Sequence, residues 1–269
     1  MSNRPVSSKR WLKAEMHSHC SLDRMDYRVC RHSPEQLIEE AARRGYEVLA
    51  ITCHNTDIWT ESLSGYARSR GVTLIPGMEV AAEGSHHILV YNFRSPAENL
   101  DTLQKIRERA NTDTLVIAPH PFFPGYVCLR GLLEKNPDVF DAIEYSGFFL
   151  KGLDFNRRSK KLAQNIGKPV VACADVHYLW QLGRTFTWIY AEPRVESVLR
   201  AIKQGDVRIQ TSPLSMPEIA DWWATTLWRY AFPVNAYPAG PLNKIENGGC
   251  FGAAQQSMKP QRIHIGHQG

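Results

Sequence analysis

Two histidines near the start of the chain, His17 and His19, stand two residues apart at the end of a short apolar stretch. The stretch at 11–16 is predicted to be a β-strand, and in a strand residues i and i+2 point to the same face. Both imidazoles can therefore reach one point in space. Imidazole nitrogen is a common ligand for zinc, manganese and iron. The pair predicts half of a metal site, although a His-x-His pair alone is a weak indication.

Further candidate ligands stand where other strand-like stretches end. They are His54, Glu79, His87, His120, Asp175 and His177. Each has a simpler structural interpretation, because a histidine at a strand end is commonly just hydrogen-bonded, and glutamate or aspartate there can cap a turn or a helix. Their shared position nevertheless favours one common site, since functional groups collect at the carboxyl ends of the strands in α/β barrels.

The elements that would position these residues alternate between strand and helix patterns. Ser33 and Pro34 begin an amphipathic helix that ends at Gly45, and residues 48–53 form the continuous apolar run typical of a buried parallel strand. The alternation continues, through a helix at 96–110 and others, to a short strand at 207–209. It predicts a parallel sheet that closes into a barrel.

Length and composition agree with this class of protein. A chain of 269 residues is long enough for one α/β barrel of about 200–250 residues, and its 43% apolar and 22% charged residues are typical of soluble globular proteins. No apolar run approaches the roughly 20 residues that span a bilayer, and the polar N-terminus lacks a signal-peptide core, so no membrane partner is expected. The six cysteines form no framework of close pairs, which favours reduced thiols and a cytoplasmic location.

The order of these motifs resembles that of the polymerase and histidinol phosphatase (PHP) superfamily of metal-dependent phosphoesterases. The matching segments are His17-x-His19, Thr52-Cys53-His54-Asn55, Pro76 to Glu79, His87 before an apolar strand, Pro119-His120-Pro121 and Asp175-x-His177. No single motif is specific, but the complete set in this order is a strong indication. The resemblance implies a distorted seven-stranded (β/α)7 barrel over residues 11–213, followed by a C-terminal extension at 214–269.

The resemblance also implies how two or three divalent ions of zinc, manganese or iron share the ligands. The first ion would be held by His17, His19, Glu79 and Asp175. The second would share Glu79 as a bridge and add His87 and His120. The third would take His54, His177 and an acidic residue of the first loop, with Asp26 as the choice and Asp23 as the alternative. His87 is preferred to His86 because it shares a strand face with Leu89 and Tyr91.

This ligand set predicts hydrolysis of a phosphate ester by a metal-bridging hydroxide, because several cations lower the pKa of a bridging water and neutralise phosphoryl oxygens. Glu79, Asp175 and His177 would be the catalytic residues, and His177 would protonate the leaving oxygen. The mildly basic net charge of +5 suits a small anionic phosphorylated substrate: a metabolite, a nucleotide or a short oligonucleotide. No stable nucleic-acid complex is expected.

Two sets of side chains could contact that substrate. The guanidinium group matches two phosphate oxygens, and the candidates are Arg24, Arg28, Arg130 and Arg184. A surface charge in solvent is the alternative for each of them. Phe122, Phe123 and Tyr126, which follow the His120 motif, could stack on a base or simply pack in the core.

Two other functions remain open. A metal-dependent C–N amidohydrolase would use a similar cluster, but such barrels commonly add a metal-bridging lysine, and no lysine here ends a predicted strand. A non-catalytic metal-binding barrel is the second alternative, and the complete ligand set argues against it.

The chain changes character after Leu214. Residues 217–230 predict a helix that covers the barrel with a face formed by Ile219, Trp223, Leu227 and Tyr230. From about Phe232 onward proline, glycine, asparagine and glutamine dominate without periodicity, which predicts a flexible tail.

Overall fold

The structure, a computed structural model, describes residues 8–232. The flexible tail predicted beyond Phe232 lies outside the described residues. The strands are β1 (Arg10–Glu15), β2 (Val48–Ala50), β3 (Thr73–Ile75), β4 (Gly77–Ala82), β5 (His86–Tyr91), β6 (Leu115–Ala118), β7 (Ala142–Ser146), β8 (Val170–Cys173), β9 (Phe186–Ala191) and β10 (Val207–Gln210). The α-helices are α1 (Pro34–Arg43), α2 (Glu61–Ser69), α3 (Leu103–Arg109), α4 (Gly131–Lys135), α5 (Asn156–Ile166), α6 (Val195–Gln204) and α7 (Met216–Ala231).

Local capping explains where the helices begin and end. Ser33 caps α1 as predicted, since its side chain accepts a hydrogen bond from the Gln36 amide, and Gly45 follows the helix with a φ of +76°. The helix predicted at 96–110 is shorter than expected. The Thr102 side chain accepts a hydrogen bond from the Lys105 amide at 3.2 Å and begins α3 there, after a separate 3₁₀ turn.

The strands form two five-stranded sheets rather than one continuous barrel. Their orders are β10-β9-β1-β2-β3 and β4-β5-β6-β7-β8. Single bridges join Ser18 to Val176 and His54 to Glu79, and the Thr187 hydroxyl exchanges hydrogen bonds with the backbone of Ala172. The fold is therefore mixed α/β. The predicted closed (β/α)7 barrel is not confirmed, because the ladders of residues 8–232 are interrupted at these junctions.

The prediction of a parallel sheet is correct only in part. The β1-β2-β3 and β6-β7-β8 pairings are parallel, whereas β5 pairs antiparallel with both β4 and β6, and β9 pairs antiparallel with both β1 and β10. Only residues 83–85 separate β4 from β5, and a parallel connection needs a dozen or more residues. The amino end of β5 consequently lies beside the carboxyl ends of its neighbours β4 and β6.

Both faces of most strands are buried. Side chains of alternating residues enter either a core shared by the two sheets or an outer layer beneath the helices, as Leu89 and Tyr91 do on one face of β5 and Ile88 and Val90 on the other. Continuous apolar runs such as 48–53 follow from this arrangement, because neither face of the strand meets water.

Helix α7 forms where the sequence predicts it but packs through a different face. The predicted face is largely exposed, with Trp223 at 52%, Leu227 at 64% and Tyr230 at 49%. The buried side instead carries Trp222 and Thr226, four residues apart. Neighbouring helix positions differ by about 100° of rotation, so Trp222 and Trp223 point in different directions. Because Thr226 is polar, the packed side has no apolar periodicity that would predict it. No described helix is both long and apolar enough to cross a membrane.

Candidate metal centre

Glu79 is the centre of the site. Its carboxylate lies 2.9–3.4 Å from ring nitrogens of five histidines, and it is almost completely buried. These histidines are His17, His19, His54, His87 and His120. The structure therefore brings together histidines from four separate segments around the carboxylate that is predicted to be a bridge.

The Pro-Gly-x-Glu segment positions this carboxylate through a close approach between strands. A Cβ atom at residue 77 would lie 2.7 Å from a ring carbon of Tyr91 and 3.0 Å from the Val90 carbonyl oxygen, so only glycine fits. The Tyr91 hydroxyl in turn donates to the Met16 carbonyl at 2.6 Å, next to His17. The packing at Gly77 thus fixes β4 against β5 and ties β5 to the end of β1.

His87 enters the cluster although it stands at the start of β5. Its Nδ1 is 2.9 Å from Oε1 of Glu79, and it faces the same side of the sheet as Leu89 and Tyr91. The antiparallel direction of β5 brings this end of the strand to the site. The neighbouring His86 points the other way, and its buried Nδ1 has no hydrogen-bond partner within the described part of the chain.

His17, His19 and Asp175 form a compact triangle. The two Nε2 atoms are 3.2 Å apart, and each lies 3.3 Å from Oδ1 of Asp175. Donor atoms about 3.3 Å apart are the spacing of tetrahedral ligands at about 2.0–2.1 Å from zinc. Oε2 of Glu79 is a further 3.3 Å from His17 and 3.4 Å from His19. The ligand atoms predicted to bind the first ion are thus close together.

The first loop contributes two acidic residues with different partners. Asp23 is fully buried, and its Oδ2 lies 2.8 Å from Nδ1 of His19 and 2.9 Å from Nδ1 of His54. Asp26 is more exposed, with its Oδ2 3.1 Å from Nε2 of His177. Both belong to one potential ligand group with His19 and His54. The choice of Asp26 over Asp23 stays a prediction.

The possible ligand groups overlap more than the sequence analysis expects. Glu79 belongs to one group with His17 and His120 and to another with His54 and His87, as a bridging carboxylate should. His177 belongs to none of the four groups found among the described residues and joins the cluster through Asp26 and Asp175 instead. The shared position of Glu79 supports at least two ions, and the contacts of His177 are those of a residue at the edge of the site.

Three buried polar residues with no assigned role in the sequence analysis hold the ligands in place. Oε2 of Glu144 lies 2.8 Å from Nδ1 of His17, and Glu15 accepts hydrogen bonds from the backbone amides of His17 and Ala174. The Gln181 side chain accepts from the amides of His177 and its neighbour Tyr178. The two glutamates had a detectable signal, because each stands in an apolar strand where an unpaired carboxylate is too costly to bury.

The electrostatics of the cluster pair carboxylates with imidazoles. Burial alone would lower the pKa of His17, but Asp175, Glu79 and Glu144 outweigh it and hold this pKa well above its usual value. Burial likewise would raise the pKa of Glu79, but the surrounding histidines hold it well below its usual range. Burial does raise the pKa of Glu15 to about 8, against hydrogen bonds from His17 and Ala174. The site is therefore built around negative charge that requires positive partners.

The donor set fits divalent transition metals. Oε1 of Glu79 and Oδ1 of Asp175 are buried without a hydrogen bond from any described residue, although imidazole nitrogens surround both. A buried carboxylate oxygen without a donor is costly unless a cation satisfies it. Mixed imidazole and carboxylate ligands suit zinc, manganese and iron. His120 and Asp175 also have φ values of 29° and 52°, and such strain is concentrated at functional sites.

The four arginines predicted to contact phosphate are not brought to the cluster. Arg28 is exposed and its guanidinium lies over the ring of Tyr27, and Arg130 donates to the Phe123 carbonyl oxygen at 3.2 Å. Arg184 pairs with Glu218 of α7, and Arg24 is exposed. Among the aromatic candidates Phe122 is buried in the outer core, Tyr126 is 80% exposed, and Phe123 is half-buried. The substrate contacts of the arginines stay predictions.

Known proteins share this fold. Residues 154–207 match the sequence family described as PHP-associated. The chain is 26% identical over 168 residues to protein MJ1587 of Methanocaldococcus jannaschii, across 57% of this chain and 95% of that protein. PsfC from Pseudomonas syringae superimposes with a TM-score of 0.53 at 16% identity, covering 83% of this chain and 99% of PsfC. Endonuclease Q, in complex with a 27-mer duplex substrate containing an abasic lesion, superimposes with a TM-score of 0.52 at 17% identity. The match covers 75% of this chain and 58% of the endonuclease Q chain.

The fold and the clustered ligands define an α/β protein of the type built around a buried group of histidines and carboxylates. The PHP-associated match over residues 154–207 and the fold shared with these structures agree with the resemblance of the ordered motifs to the PHP superfamily.

Proposed function

We propose that this protein is a metal-dependent hydrolase that cleaves phosphate esters. The observation that supports the proposal most strongly is Glu79, a single buried carboxylate within 3.4 Å of five imidazoles, with one oxygen that accepts no hydrogen bond. Such a residue suits the bridge between two cations. Divalent cations, when bound, supply a lowered pKa for water and neutralise charge on phosphoryl oxygens.

In the proposed assignment, one cation would be held by His17, His19, Glu79 and Asp175. A second would be held by Glu79, His87 and His120. Asp26, His54 and His177 are assigned to a third. Glu144 and Asp23 orient the rings of His17 and His19 through their Nδ1 atoms, which leaves Nε2 of each ring to bind metal. Zinc, manganese and iron all suit these ligands. The proposed location is the cytoplasm, where cysteines stay reduced.

His177 is the proposed proton donor for the leaving oxygen when only the first two cations are bound, because a ring whose Nε2 holds a third cation has no proton there to donate. It is half-buried, its Nδ1 lies 2.9 Å from the Asp175 carbonyl oxygen, and Asp175 and Asp26 raise its pKa against the effect of burial. The Nδ1–H group donates a hydrogen bond to this backbone carbonyl oxygen, and Nε2 faces the cluster beside Asp26. This orientation suits transfer of a proton at the edge of the site.

A nucleic-acid substrate is the second candidate. Endonuclease Q, which shares this fold, was solved with a duplex substrate at its active site, and this weighs against the expectation that no stable nucleic-acid complex forms. We retain a small phosphorylated molecule as the first candidate, because three of the arginines predicted for phosphate contacts have partners on separate segments of the chain.

The experiment that tests the proposal is a substrate screen with metal-loaded protein. Phosphomonoesters, phosphodiesters, single-stranded and abasic duplex DNA, and simple amides are each assayed with zinc, manganese and iron. Hydrolysis of a phosphomonoester, followed as release of inorganic phosphate, or of a phosphodiester, followed as release of the alcohol or of cleaved strands, supports the proposal if it is abolished in Glu79→Gln. Cleavage of amides alone would instead support the C–N amidohydrolase, and no hydrolysis by fully loaded protein would favour a non-catalytic metal-binding protein.

A further inference from the structure

A small cavity opens directly beside the metal centre and has two chemically distinct walls. His120, Asp175 and His177 form one wall, and the aromatic rings of Phe123, Phe148 and Trp222 form the other. Its volume is about 190 Å³. No lysine or arginine of the described residues lines this space, so the cavity joins a candidate reactive centre to an apolar, aromatic surface.

The aromatic wall depends on helix α7. Trp222 is half-buried, and its ring centroid is 5.1 Å from that of Phe148, which follows strand β7. Trp222 lies on the packed side of the helix, whereas its exposed neighbours lie on the opposite side. The helix that appeared from the sequence to be only a cover therefore contributes one wall of the cavity.

Several contacts fix α7 to segments that also carry site residues. The Thr226 hydroxyl is 2.7 Å from the hydroxyl of Tyr178, the residue after His177. Arg229 donates to the carbonyl oxygen of Val29, in the loop that carries Asp23 and Asp26, and its guanidinium lies over the Tyr178 ring. Because these contacts lie on both sides of the site, the position of Trp222 is tied to that of the candidate ligands.

The size and chemistry of the cavity restrict what it can hold. An apolar cavity of about 150 Å³ accommodates a benzene molecule, so 190 Å³ suits one planar ring and the group that links it to phosphate. Aromatic side chains prefer edge-to-face or offset contacts with another ring, and such pairs contribute more than their buried area alone. A highly hydroxylated sugar would leave its polar groups without partners against the rings of Phe148 and Trp222.

We propose that Trp222 and Phe148 bind a single planar aromatic ring in the substrate, and that Trp222 determines specificity for it. This proposal rests on the proposed hydrolysis of phosphate esters and names the substrate class as esters whose alcohol carries one flat ring close to the phosphate. The ring occupies the aromatic wall while the phosphate faces His120, Asp175 and His177. A phenol-type alcohol and a benzyl-type alcohol share this chemistry.

Binding of stable phosphonates tests the proposal without relying on turnover. Calorimetry on metal-loaded protein compares phenylphosphonate with methylphosphonate, and we expect about tenfold tighter binding of the phenyl compound. In Trp222→Ala this preference should fall below about threefold, with little change in the affinity for methylphosphonate, because one aromatic contact contributes about the affinity lost. Trp222→Phe should restore most of the preference. Trp228→Ala is the matched control, because Trp228 is on the same helix, 54% exposed and packed over Arg31.

An unchanged preference in Trp222→Ala, or an equal loss for both phosphonates, would overturn the proposal. If neither phosphonate binds the loaded protein, phosphate esters are not its substrates, and benzoate is then compared with acetate. A preference for benzoate that depends on Trp222 would retain the aromatic site with another reaction, and no preference would reject it. Hydrolysis of phenyl phosphate against benzyl phosphate separates the two sources of the ring, and activity on either one supports the proposal.

Discussion

Nδ1 of His17 lies 2.8 Å from Oε2 of Glu144, and both side chains are fully buried. The contact directs the opposite ring nitrogen, Nε2, towards His19, Glu79 and Asp175. Glu144 comes from β7, more than a hundred residues away in sequence, so the ring orientation of the first motif depends on the second sheet. A carboxylate in this position also raises the basicity of the imidazole as a ligand.

Glu144→Gln should therefore weaken metal binding while keeping the shape of the side chain. We expect a loss of about 10–100-fold in affinity for the ion held by His17, which is the usual effect of removing such a partner. Metal titration against a chelator measures it, with Glu134→Gln, an exposed glutamate paired with Arg158, as the control. Equal affinity in both variants would show that Glu144 has no such role.

Substitution of Glu79 tests the bridge. Glu79→Gln removes the charge shared by the five histidines and should abolish turnover while the fold is kept, since volume and burial change little. Circular dichroism and steady-state assays of the same sample provide the comparison. Near-native activity would mean that Glu79 is only a turn residue.

Asp26 and Asp23 should differ in kind. Asp26→Ala should lose about one ion and most activity with little change in stability, because Asp26 contacts His177 and is half-exposed. Asp23→Ala should keep its ions but lower the free energy of unfolding, because Asp23 contacts both His19 and His54. The expected loss is about 1–3 kcal/mol for each buried partner left unsatisfied. Metal analysis and urea denaturation of both variants check this, and loss of an ion only in Asp23→Ala would assign the ligand to Asp23.

The adjacent histidines of β5 provide a matched pair. His87→Ala should lower activity by about 100-fold or more, reasoning from the smaller effect of losing an outer partner, because His87 faces Glu79. His86→Ala should remain close to the wild type, since His86 points away from the cluster. The reverse result would move the ligand to His86 and contradict the strand register observed here.

The sequence predicts the site better than it predicts the sheet. Each candidate ligand could be found because its residue type is unusual at the end of an apolar strand, and His87 could be separated from His86 by strand alternation. The direction of β5 could have been predicted from the three residues before it, but those of β9 and β10 depend on which distant strands they pair with. Asp23, Glu144 and Gln181 act through partners that periodicity does not reveal.

The C-terminal helix shows the limit of apolar patterns. Its existence follows from the residue pattern and the cap at Ser215, yet the packed side includes Thr226 and Arg229, whose partners are Tyr178 and Val29. Without knowledge of those partners, the sequence does not show which of the two faces of the helix is packed. The same contacts bring Trp222 to the cavity.

The metal content of the reconstituted protein tests the central claim most directly. Purified protein is stripped with a chelator, reloaded separately with zinc, manganese and iron, freed of excess metal, and analysed for ions per chain. Because eight or nine candidate ligands, including Glu79, converge on one cluster, we expect two or three ions per wild-type chain and fewer in Glu79→Gln. A fully folded wild-type protein that holds one ion or none with every metal would contradict it.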